Sequence, residues 1–134
     1  MPPAAMGLLD TSVFIALETE RPVNYEMLPD QNVICPVTIA ELQAGVLIAA
    51  ESEVRARRLA TLESIADIEV LAIDSRVAAE WARLRVHLAE IGRRVNVNDL
   101  WIAATAAASE LPVVTQDDDF GPLAGAKGVE VIRV

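Results

Sequence analysis

The chain has 134 residues, of which 53% are hydrophobic and only 4% aromatic, and its formal net charge is −9. This length and composition predict one domain over residues 1–134 with an aliphatic core, and the acidic balance argues against a protein that binds nucleic acid through a generally basic surface. A single cysteine, Cys35, excludes an internal disulfide and favours a reducing compartment. Because the sequence shows neither a secretory start nor an apolar run of roughly 18 residues, we expect a cytoplasmic protein that does not enter membranes.

Short apolar runs alternate with helical patterns along the whole chain. The first run ends at the acidic turn Asp10-Thr11-Ser12, and Pro36 ends the second. In chain order the predicted elements are strand 6–9, helix 13–17, strand 33–35, helices 38–50 and 51–66, strand 69–73, helices 75–91 and 99–109, and strands 111–115 and 129–134. This alternation predicts an α/β fold in which helices cover both faces of a parallel sheet.

The helix over residues 75–91 has the clearest pattern. Asp74 or Ser75 is suited to cap its start, and Gly92 is suited to end it in a left-handed conformation. Its apolar residues recur at spacings of three or four, which defines one buried face. They are Val77, Trp81, Leu84, Leu88 and Ile91.

Four separated acids stand where an apolar run gives way to a turn or to the start of a helix. They are Asp10, Glu41, Asp99 and Asp117. Ligand sites of parallel sheets form beyond the carboxyl ends of the strands, so these side chains are expected to converge there. Converging carboxylates repel one another unless they are protonated or share a cation. Their hard oxygen ligands favour Mg²⁺ or Mn²⁺ over Zn²⁺, and such ions can activate water for attack on a phosphodiester.

Each acid also has a purely structural interpretation. Thr38 and Glu41 fit a capping box, Asp99 suits the positive first turn of a helix, and the other two acids can close turns. A non-catalytic domain whose acidic surface binds a basic partner therefore stays open at this point. A phospho-receiver is disfavoured because the only lysine, Lys127, lies in a glycine-rich turn.

Three motifs occur in a characteristic order: Leu8-Leu9-Asp10-Thr11-Ser12, then Thr38-Ile39-Ala40-Glu41-Leu42 with Gly45 after it, then Asn98-Asp99-Leu100-Trp101 followed by Val114-Thr115-Gln116-Asp117. Through them the sequence resembles the PIN domain over residues 8–134. The resemblance implies a three-layer fold with a five-stranded parallel sheet and a Mg²⁺- or Mn²⁺-dependent endoribonuclease. It further implies that the four acids form the catalytic and metal-binding set, with Asp119, Ser12 and Thr115 as accessory residues.

A lone domain of this size is similar to the VapC toxins of type II toxin–antitoxin systems. That similarity implies a VapB antitoxin whose tail fills the site, an RNA substrate and a homodimer. A PIN nuclease of housekeeping RNA maturation is the alternative within the same chemistry. One departure from the family stands at Gln116 and Asp118, where a basic residue is common.

Most arginines fall between Arg55 and Arg94. Some have a plain interpretation as helix-surface ion pairs, for example Arg55 four residues after Glu51. We hypothesise that a homodimer gathers the others beside the acidic cleft and that Arg83 and Arg85 bind RNA.

Overall fold

A computed structural model of the protein describes residues 4–134 as strands and helices in alternation. The strands are β1 (Met6–Leu9), β2 (Gln31–Val33), β3 (Val113–Thr115) and β4 (Val131–Arg133). The helices are α1 (Thr11–Glu18), α2 (Pro36–Ile48), α3 (Ser52–Ser64), α4 (Ser75–Glu90) and α5 (Val97–Ala108), with 3₁₀ turns at Tyr25–Met27 and Gly121–Leu123. All strands run parallel in the order β2-β1-β3-β4. The α/β fold with a parallel sheet is therefore confirmed.

The sheet has four strands where five were predicted. Residues 69–73 contribute only a single parallel bridge, between Ile34 and Val70. Its two hydrogen bonds run from the amide of Ile34 to the carbonyl of Glu69 (3.0 Å) and from the amide of Leu71 to the carbonyl of Ile34 (2.8 Å). Cys35 is already the N-cap of α2. Because the chain turns into that helix directly after Ile34, one extended residue remains for pairing at this edge of the sheet.

Neighbouring residues of the central strands face opposite sides of the sheet and so enter two separate cores. Leu8 and Val113 point to one face, whereas Leu9 and Val114 point to the other. The first face packs against α4 and α5 through Val77, Leu84, Leu88, Leu100 and Ile102. The second packs against α1, α2 and α3 through Val13, Phe14, Leu42 and Leu62. This arrangement gives the predicted three layers.

Helix α4 has the ends that the sequence predicts. The carboxylate of Asp74 accepts hydrogen bonds from the amides of Arg76 (3.0 Å) and Val77 (3.1 Å), and Gly92 adopts a φ of 66° after the helix. The stacked rings of Trp81 and Trp101, with centroids 5.1 Å apart, join α4 to α5. The two helices therefore pack directly against each other.

The start of α2 differs from the prediction. Proline is favoured at the first helical position because its fixed φ suits the helix and its missing amide hydrogen is not needed there. The helix accordingly begins at Pro36 and not at residue 38. The capping box is not formed, because the carboxylate of Glu41 bonds to Thr11 and Asn98 of other helices, and the hydroxyl of Thr38 lies 3.2 Å from that of Thr11. Within residues 4–134, none of the helices combines the length and apolar character needed to cross a bilayer.

Candidate active site

Five carboxylates meet at the carboxyl edge of the sheet. Asp10 directly follows β1, and Asp117 lies two residues beyond β3. Glu41 and Asp99 belong to the first two turns of α2 and α5, which begin at the same edge. Together with Asp119, these residues line a cleft of about 220 Å³. The structure thus brings together all four predicted acids and the predicted accessory acid.

Asp10 is held in a fixed position at the bottom of this cleft. It is 3% exposed, and its amide donates to the carbonyl of Val114 at 2.8 Å. Its Oδ2 accepts hydrogen bonds from the hydroxyls of Ser12 (2.7 Å) and Thr115 (3.0 Å). Burial raises the pKa of Asp10, the two hydroxyls oppose that shift, and the charge of Asp117 adds to it. An ionised Asp10 therefore depends on these two donors or on a cation.

The buried hydroxyl of Thr115 connects two of the acids. It lies 3.0 Å from Oδ2 of Asp10 and 3.1 Å from Oδ1 of Asp117, and it accepts a bond from the amide of Asp117 at 3.2 Å. One hydroxyl has one proton, so it can donate to only one carboxylate at a time. The hydroxyl of Ser12, 3.1 Å away, is fixed in turn by the amide of Gln116 at 3.0 Å. Both predicted accessory hydroxyl residues, Ser12 and Thr115, thus lie against the acids that follow β1 and β3.

Glu41 is positioned by two residues that the sequence analysis did not single out. Its Oε1 accepts a bond from the hydroxyl of Thr11 at 2.6 Å, and its Oε2 accepts one from the side-chain Nδ2 of Asn98 at 3.4 Å. Both partners stand beside predicted site residues, because Thr11 follows Asp10 and Asn98 precedes Asp99. Adjacency to the motif acids is the only sequence signal that marks them.

The cleft carries strongly uncompensated negative charge. Burial and the charges of the four other acids, Asp10 foremost, raise the pKa of Asp99 to about 7. The pKa of Asp119 is also raised, mainly by Asp117. Among the described residues that line this cleft there is no lysine or arginine. A bound cation is therefore the simplest way to neutralise the negative charge of these carboxylates.

The donor set fits a hard divalent cation, although no ligand cage is preformed. Carboxylate, hydroxyl and amide oxygens are the ligands that Mg²⁺ and Mn²⁺ prefer, whereas Zn²⁺ sites usually include histidine or cysteine. Within residues 4–134, no group of three or more such side chains is already arranged to hold a metal ion. Mg²⁺ typically binds through one or two carboxylates and keeps several waters, so its site does not require three converging protein ligands. The cleft has the chemistry of such a site without its final geometry.

Arg83 and Arg85 do not line this cleft, and they lie on different sides of α4. The guanidinium of Arg83 donates from Nε to Oε2 of Glu80 at 2.9 Å and borders a cavity that includes Lys127. Arg85 borders a separate cavity. The hypothesis that both bind RNA therefore requires two different surfaces.

Gln116 and Asp118 stand at the two positions where the resemblance led us to expect a basic residue. Asp118 is exposed and pairs with Arg133 of β4, which brings a guanidinium to this loop from another element. Gln116 is buried, and its amide group donates to the carbonyls of Pro22 and Val134. Gln116 thus ties the carboxyl-terminal residue to the loop after β3.

The fold and this cleft define a PIN domain, and the chain belongs to that family, because a PIN domain model matches residues 7–126. The chain is 61% identical to ribonuclease VapC5 of Mycobacterium tuberculosis over 97% of its own length and 96% of that protein. It is 41% identical to ribonuclease VapC4 of the same organism, with 96% of each chain covered. A crystal structure of VapBC-5 from M. tuberculosis superimposes with a TM-score of 0.92 at 58% identity, covering 97% of this chain and 99% of that one.

Proposed function

We propose that this protein is an endoribonuclease that hydrolyses RNA phosphodiester bonds with Mg²⁺ or Mn²⁺ and acts as the toxin of a VapBC pair. The observation that carries this proposal is the single cleft in which five carboxylates from four chain segments meet, with no lysine or arginine among the described residues that line it. The similarity to ribonuclease VapC5 supports the RNA substrate, and the match to the VapBC-5 structure supports the toxin role. Such a toxin acts in the cytoplasm, where its RNA substrate and its antitoxin are made.

The proposed catalytic and metal-binding residues are Asp10, Glu41, Asp99 and Asp117. When bound there, a divalent cation would activate water and stabilise the negative charge that develops on the phosphate. Thr115 and Ser12 hold Oδ2 of Asp10, and Thr11 holds Oε1 of Glu41, so these carboxylates are oriented before substrate arrives. Asp99 has a pKa raised to about 7 by burial and by the neighbouring acids, and it would be ionised when it holds a cation.

The decisive test compares two isosteric Asp-to-Asn changes. Asp99→Asn should reduce Mn²⁺-dependent cleavage of structured RNA by about 100-fold or more, since even the loss of residues behind metal ligands commonly costs 10- to 100-fold. Asp118→Asn is the matched control, because Asp118 is exposed and lies outside the cleft, and it should cleave like wild type. Full activity of Asp99→Asn would reject this assignment. Failure of the wild-type protein to cleave RNA with either ion would reject the function.

We infer a VapB-type antitoxin and a second copy of the chain as protein partners. Leu47 and Ile48 at the end of α2 support a partner surface, because they are adjacent and 75% and 79% exposed. Expression of the protein alone should arrest growth, and co-expression of the antitoxin encoded beside it should restore growth. Normal growth without the antitoxin, with RNA cleavage retained, would favour a housekeeping RNA-processing enzyme. Absence of Mg²⁺ and Mn²⁺ binding at millimolar concentrations would favour a non-catalytic interaction domain.

A further inference from the structure

A second cavity, of about 730 Å³, lies between the carboxyl end of α4 and the start of α5. We call it the basic groove and define it by Arg85, Arg93, Arg94 and Trp81. The three arginines are exposed, whereas Trp81 is half-buried and packs on Trp101. The groove therefore combines a cationic rim with an aromatic wall.

The basic groove adjoins the acidic cleft through one residue. Asn96 lines both cavities, and it caps α5 by accepting a bond from the amide of Asn98 at 2.8 Å. Asp99 follows in the first turn of the same helix. A chain lying in the groove and passing Asn96 would thus arrive directly at the carboxylates.

The arginines of the groove are not neutralised by salt bridges within the described part of the chain. The described residues that line the groove include no Asp or Glu, and within residues 4–134 none of its three guanidiniums forms a salt bridge. Other arginines are engaged: Arg83 pairs with Glu80, and Arg58 donates to the carbonyl of Gly45 at 2.7 Å. In a chain of net charge −9, this is a local concentration of free positive charge.

The position of two of these arginines is fixed by the end of α4. Gly92 takes a left-handed φ of 66°, and the amide of Arg93 donates back to the carbonyl of Leu88 at 3.0 Å. This helix-ending turn makes the chain leave the helix axis, so residues 93–94 run along the groove. The charges are therefore presented by an ordered backbone.

We propose that the basic groove binds the phosphodiester backbone of single-stranded RNA and guides it into the acidic cleft, an inference that rests on the proposed nuclease function. The cleft repels a polyanion, so affinity for RNA must come from cations placed beside it. Guanidinium groups bind phosphate oxygens through two parallel hydrogen bonds, and an aromatic wall beside a cationic track is typical of single-strand binding. Asn96 lies where the RNA-binding groove meets the catalytic cleft.

The test measures RNA affinity in an Asp99→Asn background, in which RNA stays intact. One variant carries Arg85→Gln, Arg93→Gln and Arg94→Gln. Its charge-matched control carries Arg21→Gln, Arg76→Gln and Lys127→Gln, all outside both cavities. Binding of a fluorescein-labelled single-stranded RNA is followed by anisotropy in Mg²⁺ at several salt concentrations. The groove variant should bind about 10- to 100-fold more weakly, with a salt slope smaller by about 2, because each phosphate contact on a single strand contributes about 0.7. The control should keep both the affinity and the slope.

Two further measurements make the result independent of any single variant. Photo-cross-linking of the otherwise unaltered Asp99→Asn protein to RNA carrying 4-thiouridine should label residues 81–97, and sedimentation should give both variants the same oligomeric state. Equal RNA affinity of groove and control variants, labelling elsewhere, or a change of oligomeric state in the groove variant alone would overturn the inference. Competition by polyglutamate as strong as that by RNA of equal charge would overturn the assignment of RNA as the occupant.

The two hypotheses fail in different ways. If Asp99→Asn abolishes cleavage but the groove variant binds RNA like its control, the nuclease function stands and the groove inference is wrong. If the wild-type protein cleaves no RNA but the groove variant loses affinity, the groove binds RNA and the nuclease function is wrong.

Discussion

Thr115 links the two carboxylates that follow β1 and β3, because its fully buried hydroxyl lies 3.0 Å from Asp10 and 3.1 Å from Asp117. The hydroxyl lowers the pKa of Asp10, against the effect of burial. It therefore helps to keep Asp10 ionised at neutral pH. A metal ligand has to be ionised, so this contact bears directly on cation binding.

Thr115→Val should remove that hydrogen bond while keeping a β-branched side chain in the strand. The pKa of Asp10 then rises, so the ascending limb of the pH–rate profile should move to higher pH, and the rate at neutral pH should fall by about tenfold. Thr115→Ser keeps the hydroxyl and should retain the wild-type profile. A Thr115→Val enzyme with an unshifted profile would show that the hydroxyl does not act through Asp10.

Asp99 has the opposite effect on stability from most paired carboxylates. Its pKa rises from 3.8 to about 7 on folding, so the folded protein holds a proton that the unfolded chain has already released. The favourable contribution of Asp99 to the free energy of unfolding is fully present below pH 3.8. It is lost as the pH rises to about 7. Above that pH an ionised Asp99 destabilises the metal-free protein.

Asp99→Asn should therefore stabilise the metal-free protein at pH 8. A rise in the pKa from 3.8 to about 7 corresponds to about 4 kcal/mol of the free energy of unfolding. Solvent screening of this half-buried side chain reduces that figure to about 1–2 kcal/mol. The gain should disappear near pH 4. Urea unfolding in a chelator at both pH values measures the difference, with Asp118→Asn as control. Lower stability of Asp99→Asn at pH 8 would contradict the proposed repulsion.

The sequence could predict the acids of the cleft but not the residues that orient them. Motif order and strand ends were enough to nominate Asp10 and Asp99. The bonds from Thr11 and Asn98 to Glu41 join residues 30 and 57 positions apart, so they depend on how α1, α2 and α5 pack. The sequence alone could have predicted that Arg83 and Arg85 lie on different sides of α4, because residues two apart on a helix point in nearly opposite directions.

At the scale of elements, β1 passes very close to its neighbours at Gly7. A Cβ on this residue would lie 2.7 Å from Cγ2 of Val114 and 2.8 Å from Cγ of Pro29. Val114 is fully buried, so it has little room to move. The helix residue Gly45 has much more space, with Cδ of Arg58 at 3.8 Å as the nearest atom.

Gly7→Ala and Gly45→Ala should therefore change stability in opposite directions. Overpacking at Gly7 should cost about 1–3 kcal/mol of the free energy of unfolding. Replacing Gly45 within α2 should stabilise the protein by about 0.5–1 kcal/mol, because alanine loses less backbone entropy in a helix. Urea unfolding of the two variants gives the comparison. A Gly7→Ala protein as stable as wild type would show that β1 and β3 can move apart.

The sequence located the elements well and their ends less well, for local reasons. Strand β3 begins at Val113 and not at residue 111, because Pro112 has no amide hydrogen for the ladder, although its carbonyl accepts a bond from the amide of Leu8 at 2.9 Å. The apolar residues of segment 69–73 predict a strand, yet only Ile34 lies between the end of β2 and the N-cap of α2 to pair with it. A pattern within one segment cannot report how long its partner strand is.

Across the whole molecule, charge is unevenly distributed. Five carboxylates gather in the cleft, and three unpaired arginines line the basic groove beside it. The net charge of −9 thus understates the capacity of one face to bind RNA. Occupation of the cleft by a divalent cation would remove most of the remaining local repulsion.

Mg²⁺ or Mn²⁺ should raise the melting temperature of the wild-type protein. A ligand at 100 times its Kd stabilises the folded state by about 2.7 kcal/mol, which corresponds to several degrees in a chain of this size. The increase should be larger at pH 8 than at pH 6, because Asp99, with a pKa of about 7, has to release its proton to bind the ion. Asp10→Asn should reduce the increase and Asp118→Asn should retain it, with NaCl of equal ionic strength as the control for screening. An equal increase in wild type and Asp10→Asn would mean that the ions bind elsewhere on the acidic surface.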